Sequence, residues 1–241
     1  MKVRIPVPGV ILISEETQFD IAYAFMRMQE FYEHRDISRQ GKFYSLDEVI
    51  ENYASFGPDK DKKFSYLESW AGFNVNGNVV DKFRDMYKPD FTDREAKLFD
   101  AIDRTLEQEE DATYKGKYYV IGTCSDLYLD HELCHGLFYL YPEFKKDSLK
   151  LINSLRQDQY KAVEKMLIDG GYAANVIDDE INAYISTSDM YYIKETVFEE
   201  LTEAQMKHFN WNKIYKLVEN YWTFKEEHEL EEEDQIITLT E

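Results

Sequence analysis

The chain has 241 residues with 48 acidic against 28 basic side chains, a formal charge of −20. That balance argues against binding nucleic acid through its phosphates, which needs clustered Lys and Arg, and disfavours anionic membrane surfaces, whereas a cationic peptide or a basic protein surface would be attracted. A hydrophobic content of 44% with 15% aromatics excludes the disordered class for most of the length and suffices for one domain, or for two lobes flanking a cleft.

In chain order, Met1–Ser14 holds a short apolar run interrupted by Pro6 and Pro8, with no small-residue cleavage site after it, so it does not read as a secretory signal. No stretch approaches the length needed to cross a bilayer. Cys124 and Cys134 are the two cysteines and give no disulfide framework, which fits a reducing cytosolic setting; an exported effector without a classical signal is also compatible. From Glu16 to about Glu33, Ile21, Ala22, Phe25, Met26 and Met28 recur at helical spacing. Ser45–Glu48 and Thr92–Glu95 each match a capping box and start helices to about Ser55 and Leu106. Gly57–Lys63 reads as a solvated loop. Trp70–Asn78 mixes aromatics, glycines and amides and reads as an ordered loop, walling a cleft or packed on the core.

Lys117–Thr123 is rich in β-branched and aromatic residues and reads as a strand whose free edge suits an extended peptide. Ser125 or Asp126 then caps a helix running to about Leu140, where Pro142 stops it. Asp147 to about Ile168 reads as one long helix and Thr202 to about Tyr221 as another. Glu226–Asp234 is a charge run, a solvated helix end or frayed tail with an exposed His228.

The helix after the strand carries His131-Glu132-Leu133-Cys134-His135, the HExxH spacing. Residues i and i+4 share a helix face, so His131 and His135 can each present a ring nitrogen to one zinc, with Glu132 beside them. Zinc activates a water and polarises a carbonyl; Glu132 takes the proton as general base and passes it to the leaving amine. Cys134 falls on the other face, as a small buried residue.

A catalytic zinc needs a third protein ligand and keeps a fourth position for water. The leading candidate is Glu180 in Asp178-Asp179-Glu180-Ile181-Asn182-Ala183-Tyr184, a helix start that follows the loop signal Gly170-Gly171. Ala183, one turn on, lets two helices approach closely. Asn182, Asp189 and His208 are alternatives.

With these two segments the chain resembles the gluzincin class of zinc metallopeptidases, in particular its compact members. The resemblance covers about residues 117 to 189. It implies zinc held by His131, His135 and Glu180, with Glu132 as the base. The thermolysin-like members place an aspartate four residues after the glutamate ligand, where it bonds a ligand histidine; here that position is Tyr184. Support for the imidazoles then falls to Asp178, Asp179 or a backbone carbonyl. No third histidine follows His135, so the metzincin pattern is absent. Tyr184, Tyr191 and Tyr192 are candidate donors to the oxyanion, Tyr184 being the one taken.

The expectation is a predominantly helical α+β protein with a zincin-like core, a small sheet having an edge strand beside the motif helix. It spans 1–225 as one domain, with a helical lobe over about 1–110, a metal-binding lobe over about 111–225, and an acidic tail over 226–241. The expected function is a cytoplasmic zinc metallopeptidase acting on a peptide or protein. A non-catalytic acidic module that binds a protein partner, and a metal-dependent hydrolase of a non-peptide bond, are the alternatives.

Overall fold

The computed structural model describes residues 1–34, 36–56, 63–198 and 210–237. The chain is α+β and mostly helical, in two compact units: Met1–Glu132 with Glu229–Glu241, and Leu133–His228.

The first unit is built on a mixed five-stranded sheet of order β3-β4-β2-β1-β5, in which β5 is Ile236–Ile237. Strand β1 (Lys2–Arg4) is antiparallel to β2 (Val10–Ser14), β2 is parallel to β4 (Tyr119–Thr123), and β3 (Gly72–Asn76) is antiparallel to β4. The strand expected over 117–123 is therefore present, but it lies inside the sheet, paired on both sides and buried throughout. Among the described residues the edge beyond β4 is β3. This corrects the loop expected over Trp70–Asn78. Phe73 and Val75 alternate with Gly72, Asn74 and Asn76, and Phe73 stacks on Phe25 at 5.5 Å. Amides and glycine hid a period of two.

Helix α1 (Gln18–Glu33) is capped by Thr17, whose hydroxyl accepts from the Asp20 N–H, and buries Ile21, Ala22, Phe25, Met26 and Met28. Both capping boxes form, opening α2 (Leu46–Phe56) and α4 (Asp93–Gln108). Between them α3 (Gly77–Tyr87) is capped by Asn76.

The second unit takes up the rest of α5 (Leu129–Leu140), followed by α6 (Pro142–Ile152), α7 (Gln157–Gly170), α8 (Ile177–Thr187) and α9 (Trp211–His228). The single helix expected over 147–168 is two. Pro142 both ends α5 and opens α6, because its missing N–H and fixed φ suit a first helical position. After Ile152 the chain turns, and α7 restarts where the Arg156 N–H donates to Gln159 Oε1 at 3.1 Å. Gly171, in the left-handed region at φ 98°, closes α7. Helix α8 packs on α6, α7 and α9 around Val163, Leu167, Ile181, Ile185 and Leu217.

The loop expected over 57–63 lies almost wholly outside the described residues, as does the start of the helix expected at Thr202. His228 is not an exposed side chain: it stacks on Phe224 at 4.1 Å with Nδ1 2.9 Å from the Phe224 carbonyl oxygen. Residues 229–237 end in structure and not in a free tail. The Leu230 N–H donates to the Pro6 carbonyl, the Ile5 N–H donates to the Gln235 carbonyl, and β5 (Ile236–Ile237) pairs with β1. Among the described residues, no helix is long and apolar enough to cross a membrane.

Candidate metal centre

Helix α5 is entered through a turn at Asp126–Tyr128, where the Ser125 hydroxyl accepts from the Leu127 N–H at 3.2 Å. The helical repeat puts His131 and His135 on one face. Helix α8 begins Ile177-Asp178-Asp179-Glu180, and carboxylates in a first turn are favoured by the partial positive charge of unpaired backbone N–H groups. Glu180 is folded in as expected: its N–H donates to the Val176 carbonyl, and its side chain is only 4% exposed. Ala183 on the next turn is fully buried.

His131, His135 and Glu180 each offer a ligand atom, and these atoms all lie within 4.8 Å of one another. His135 Nε2 stands 3.7 Å from Glu180 Oε1, too far for a hydrogen bond. Zinc bound tetrahedrally at its usual N and O distances sets ligand atoms about 3.4 Å apart, so the His135–Glu180 pair would need only a small contraction to suit the ion. Two imidazoles and a carboxylate are also the donors of an open zinc site. The residues present fit the metal.

The other nitrogen of His135 is engaged as well. Nδ1 lies 2.9 Å from Asp179 Oδ1, within ion-pair range though not aligned as a hydrogen bond, so the carboxylate beside this nitrogen comes from the residue directly before Glu180 and not from one a turn after it. Asp178 is occupied elsewhere. It accepts from the Tyr160 hydroxyl at 2.9 Å, and burial together with that bond pushes Tyr160 up to about 12.

Glu132 is buried within the first unit. Its Oε2 accepts from Asn74 Nδ2 at 2.7 Å, and Asn74 Oδ1 accepts in turn from the Tyr119 hydroxyl at 2.5 Å. Gly72 is pressed against the same carboxylate: a Cβ there would stand 3.1 Å from Cδ and closer still to Oε1. Neither Asn74 nor Tyr119 was singled out from sequence. The alternation of β3 was the signal that would have put Gly72 and Asn74 on one face.

The remaining candidates fall in other places. Asn182 donates to Cys134 Sγ at 3.1 Å, both side chains buried, and so ties α8 to α5 without acting as a ligand. Asp189 accepts from the Tyr192 N–H at 2.8 Å. Tyr184 sits one turn beyond Glu180 on α8, its hydroxyl 2.9 Å from that of Tyr172. Tyr191 and Tyr192 are exposed. His208 lies outside the described residues. No protein-family model, no curated protein and no solved structure matches the chain.

Proposed function

We propose that the chain is a zinc-dependent hydrolase, and specifically a metallopeptidase of the gluzincin kind with a zincin-like core. The observation that carries this reading is the convergence of His131, His135 and Glu180, drawn from two helices, into one ligand group. Zinc held by these three residues would polarise the scissile carbonyl and make a bound water acidic enough to lose its proton near neutral pH. Glu132 is the residue that would serve as general base toward the attacking water and pass its proton to the leaving amine. The negative charge of Asp179, 2.9 Å from Nδ1, favours the His135 tautomer that presents Nε2. Tyr184, on the helix that supplies Glu180, is the tyrosine we assign to the oxyanion.

A peptide is favoured over other carbonyl compounds by the edge of β3. Among the described residues that strand pairs on one side alone, and it carries Asn74, which touches Glu132, so a segment added to it as a further strand would run past the base. Zinc measured in the purified protein should approach one equivalent per chain and be lost in His131→Ala and His135→Ala. Glu180→Ala should weaken zinc binding. Glu132→Gln should retain zinc and lose turnover of a proteome-derived peptide mixture, in which parent-specific cuts identify the substrate sequence. A protein with no affinity for zinc, or a Glu132→Gln variant that cleaves at the parental rate, would overturn the proposal and leave the acidic binding module.

A further inference from the structure

Resting on the hydrolase reading, we infer that Asn74 and Tyr119, together with the bare Cα of Gly72, form a positioning device for the Glu132 carboxylate. The sheet brings the three together. In the β3–β4 register Gly72 faces Thr123, Asn74 faces Ile121 and Asn76 faces Tyr119, so Tyr119 stands diagonally from Asn74 on the same face, within reach of a long side chain.

The hydrogen bonds run in one direction. The Tyr119 hydroxyl donates to Asn74 Oδ1, which fixes the amide so that Nδ2 points to Glu132 Oε2. An amide turned the other way would set its oxygen against a carboxylate oxygen. Both Asn74 and Tyr119 are buried, at 8% and 2% exposure, so neither bond is in ready exchange with water. Gly72 supplies the remaining wall, since any larger residue would displace Oε1.

Asn74 and Tyr119 touch Glu132 or its partner and not the reacting atoms, so they are positioning residues. A misplaced catalytic group costs roughly 100-fold in rate for a shift near 1 Å.

The test is steady-state hydrolysis of fluorescently labelled, denatured casein by zinc-loaded parent, Glu132→Gln, Gly72→Ala, Asn74→Ala and Tyr119→Phe proteins. Gly72→Ala is the sharpest variant. The atom it strikes is the far end of a flexible side chain, so zinc content and Tm should match the parent while kcat falls roughly 100-fold with KM little changed. Asn74→Ala should behave similarly and Tyr119→Phe should lose less, because its ring packing survives. Should Asn74→Ala fail to fold, Gly72→Ala and Tyr119→Phe carry the test alone. Parental kcat in Gly72→Ala, Asn74→Ala and Tyr119→Phe, in a series where Glu132→Gln is inactive, overturns the positioning role and leaves the hydrolase reading intact. A loss confined to KM overturns it too, since that marks a substrate seat. No zinc-dependent turnover by the parent removes the hydrolase reading and the role with it.

Discussion

A neutral imidazole binds a metal through one nitrogen while the other carries the proton, so whatever accepts that proton decides which nitrogen is available. For His135 the carboxylate nearest Nδ1 is that of Asp179, at an ion-pair distance of 2.9 Å, which favours a proton on Nδ1, and Nε2 is the nitrogen turned toward Glu180. Asp179→Ala should therefore lower zinc affinity about 10- to 100-fold, measured by competition with a chromogenic chelator. Asp178→Ala, which removes only the acceptor for Tyr160, should leave affinity unchanged. Equal losses in the two variants would mean that general negative charge, and not the Nδ1 contact, holds the metal. The residues of this centre differed in how readable they were. His131, Glu132 and His135 lie within one helix, where spacing alone fixes relative position. Glu180 needed only the start of a second helix. Asp179 could not be separated from Asp178 by sequence, because adjacent residues on a helix point about 100° apart and the choice depends on how α8 is rotated against its neighbours.

At the scale of elements, what the sequence made legible was set by whether an element's signal was local. The capping boxes at Ser45–Glu48 and Thr92–Glu95 are complete within four residues, and both helices begin where expected. Strand β3 was missed because its polar face is Gly72, Asn74 and Asn76, residues that are common in loops and that occupy a strand here through contacts to β4 and Glu132. The break between α6 and α7 was missed because the apolar spacing continues across it. Local signals also leave tertiary roles unstated. Glu48 is exposed, and its hydrogen bonds join it to Ser45 at the start of its own helix. Glu95 accepts from the Thr92 N–H and also receives Arg27 of α1, through Nε at 2.8 Å and Nη2 at 2.5 Å, with both side chains almost fully buried. Removing it would leave a buried guanidinium with Asp90 as its remaining acidic partner. Glu95→Ala should cost about 3–5 kcal/mol in chemical denaturation, and Glu48→Ala should cost far less. Similar losses would show that capping alone accounts for both.

For the whole molecule, the first unit is discontinuous in sequence: residues 229–237 return to complete a sheet begun at Lys2. This return is not legible in the sequence, because Glu229–Asp234 is dominated by charge and the pairing partner lies more than two hundred residues away. Ending the chain at His228 would set two effects against each other. It removes the Leu230 and Gln235 backbone bonds to the Pro6 and Ile5 region, the partial burial of Leu230 and Ile237, and the cover on the β1 edge. A few net hydrogen bonds and two partly buried aliphatic side chains amount to about 3 kcal/mol. It also deletes six acidic residues from a chain carrying −20, which relieves self-repulsion and should stabilise what remains. The two are separable, because repulsion between exposed charges is largely screened at 1 M salt, where the Debye length is about 3 Å, whereas burial and backbone pairing are not. The truncated chain should therefore be less stable than the parent in urea at high salt by nearly the full amount, and by less at low salt. It should also self-associate in size-exclusion chromatography through the bared edge of β1. Equal urea midpoints at 1 M salt would mean that β5 adds no stability to the first unit.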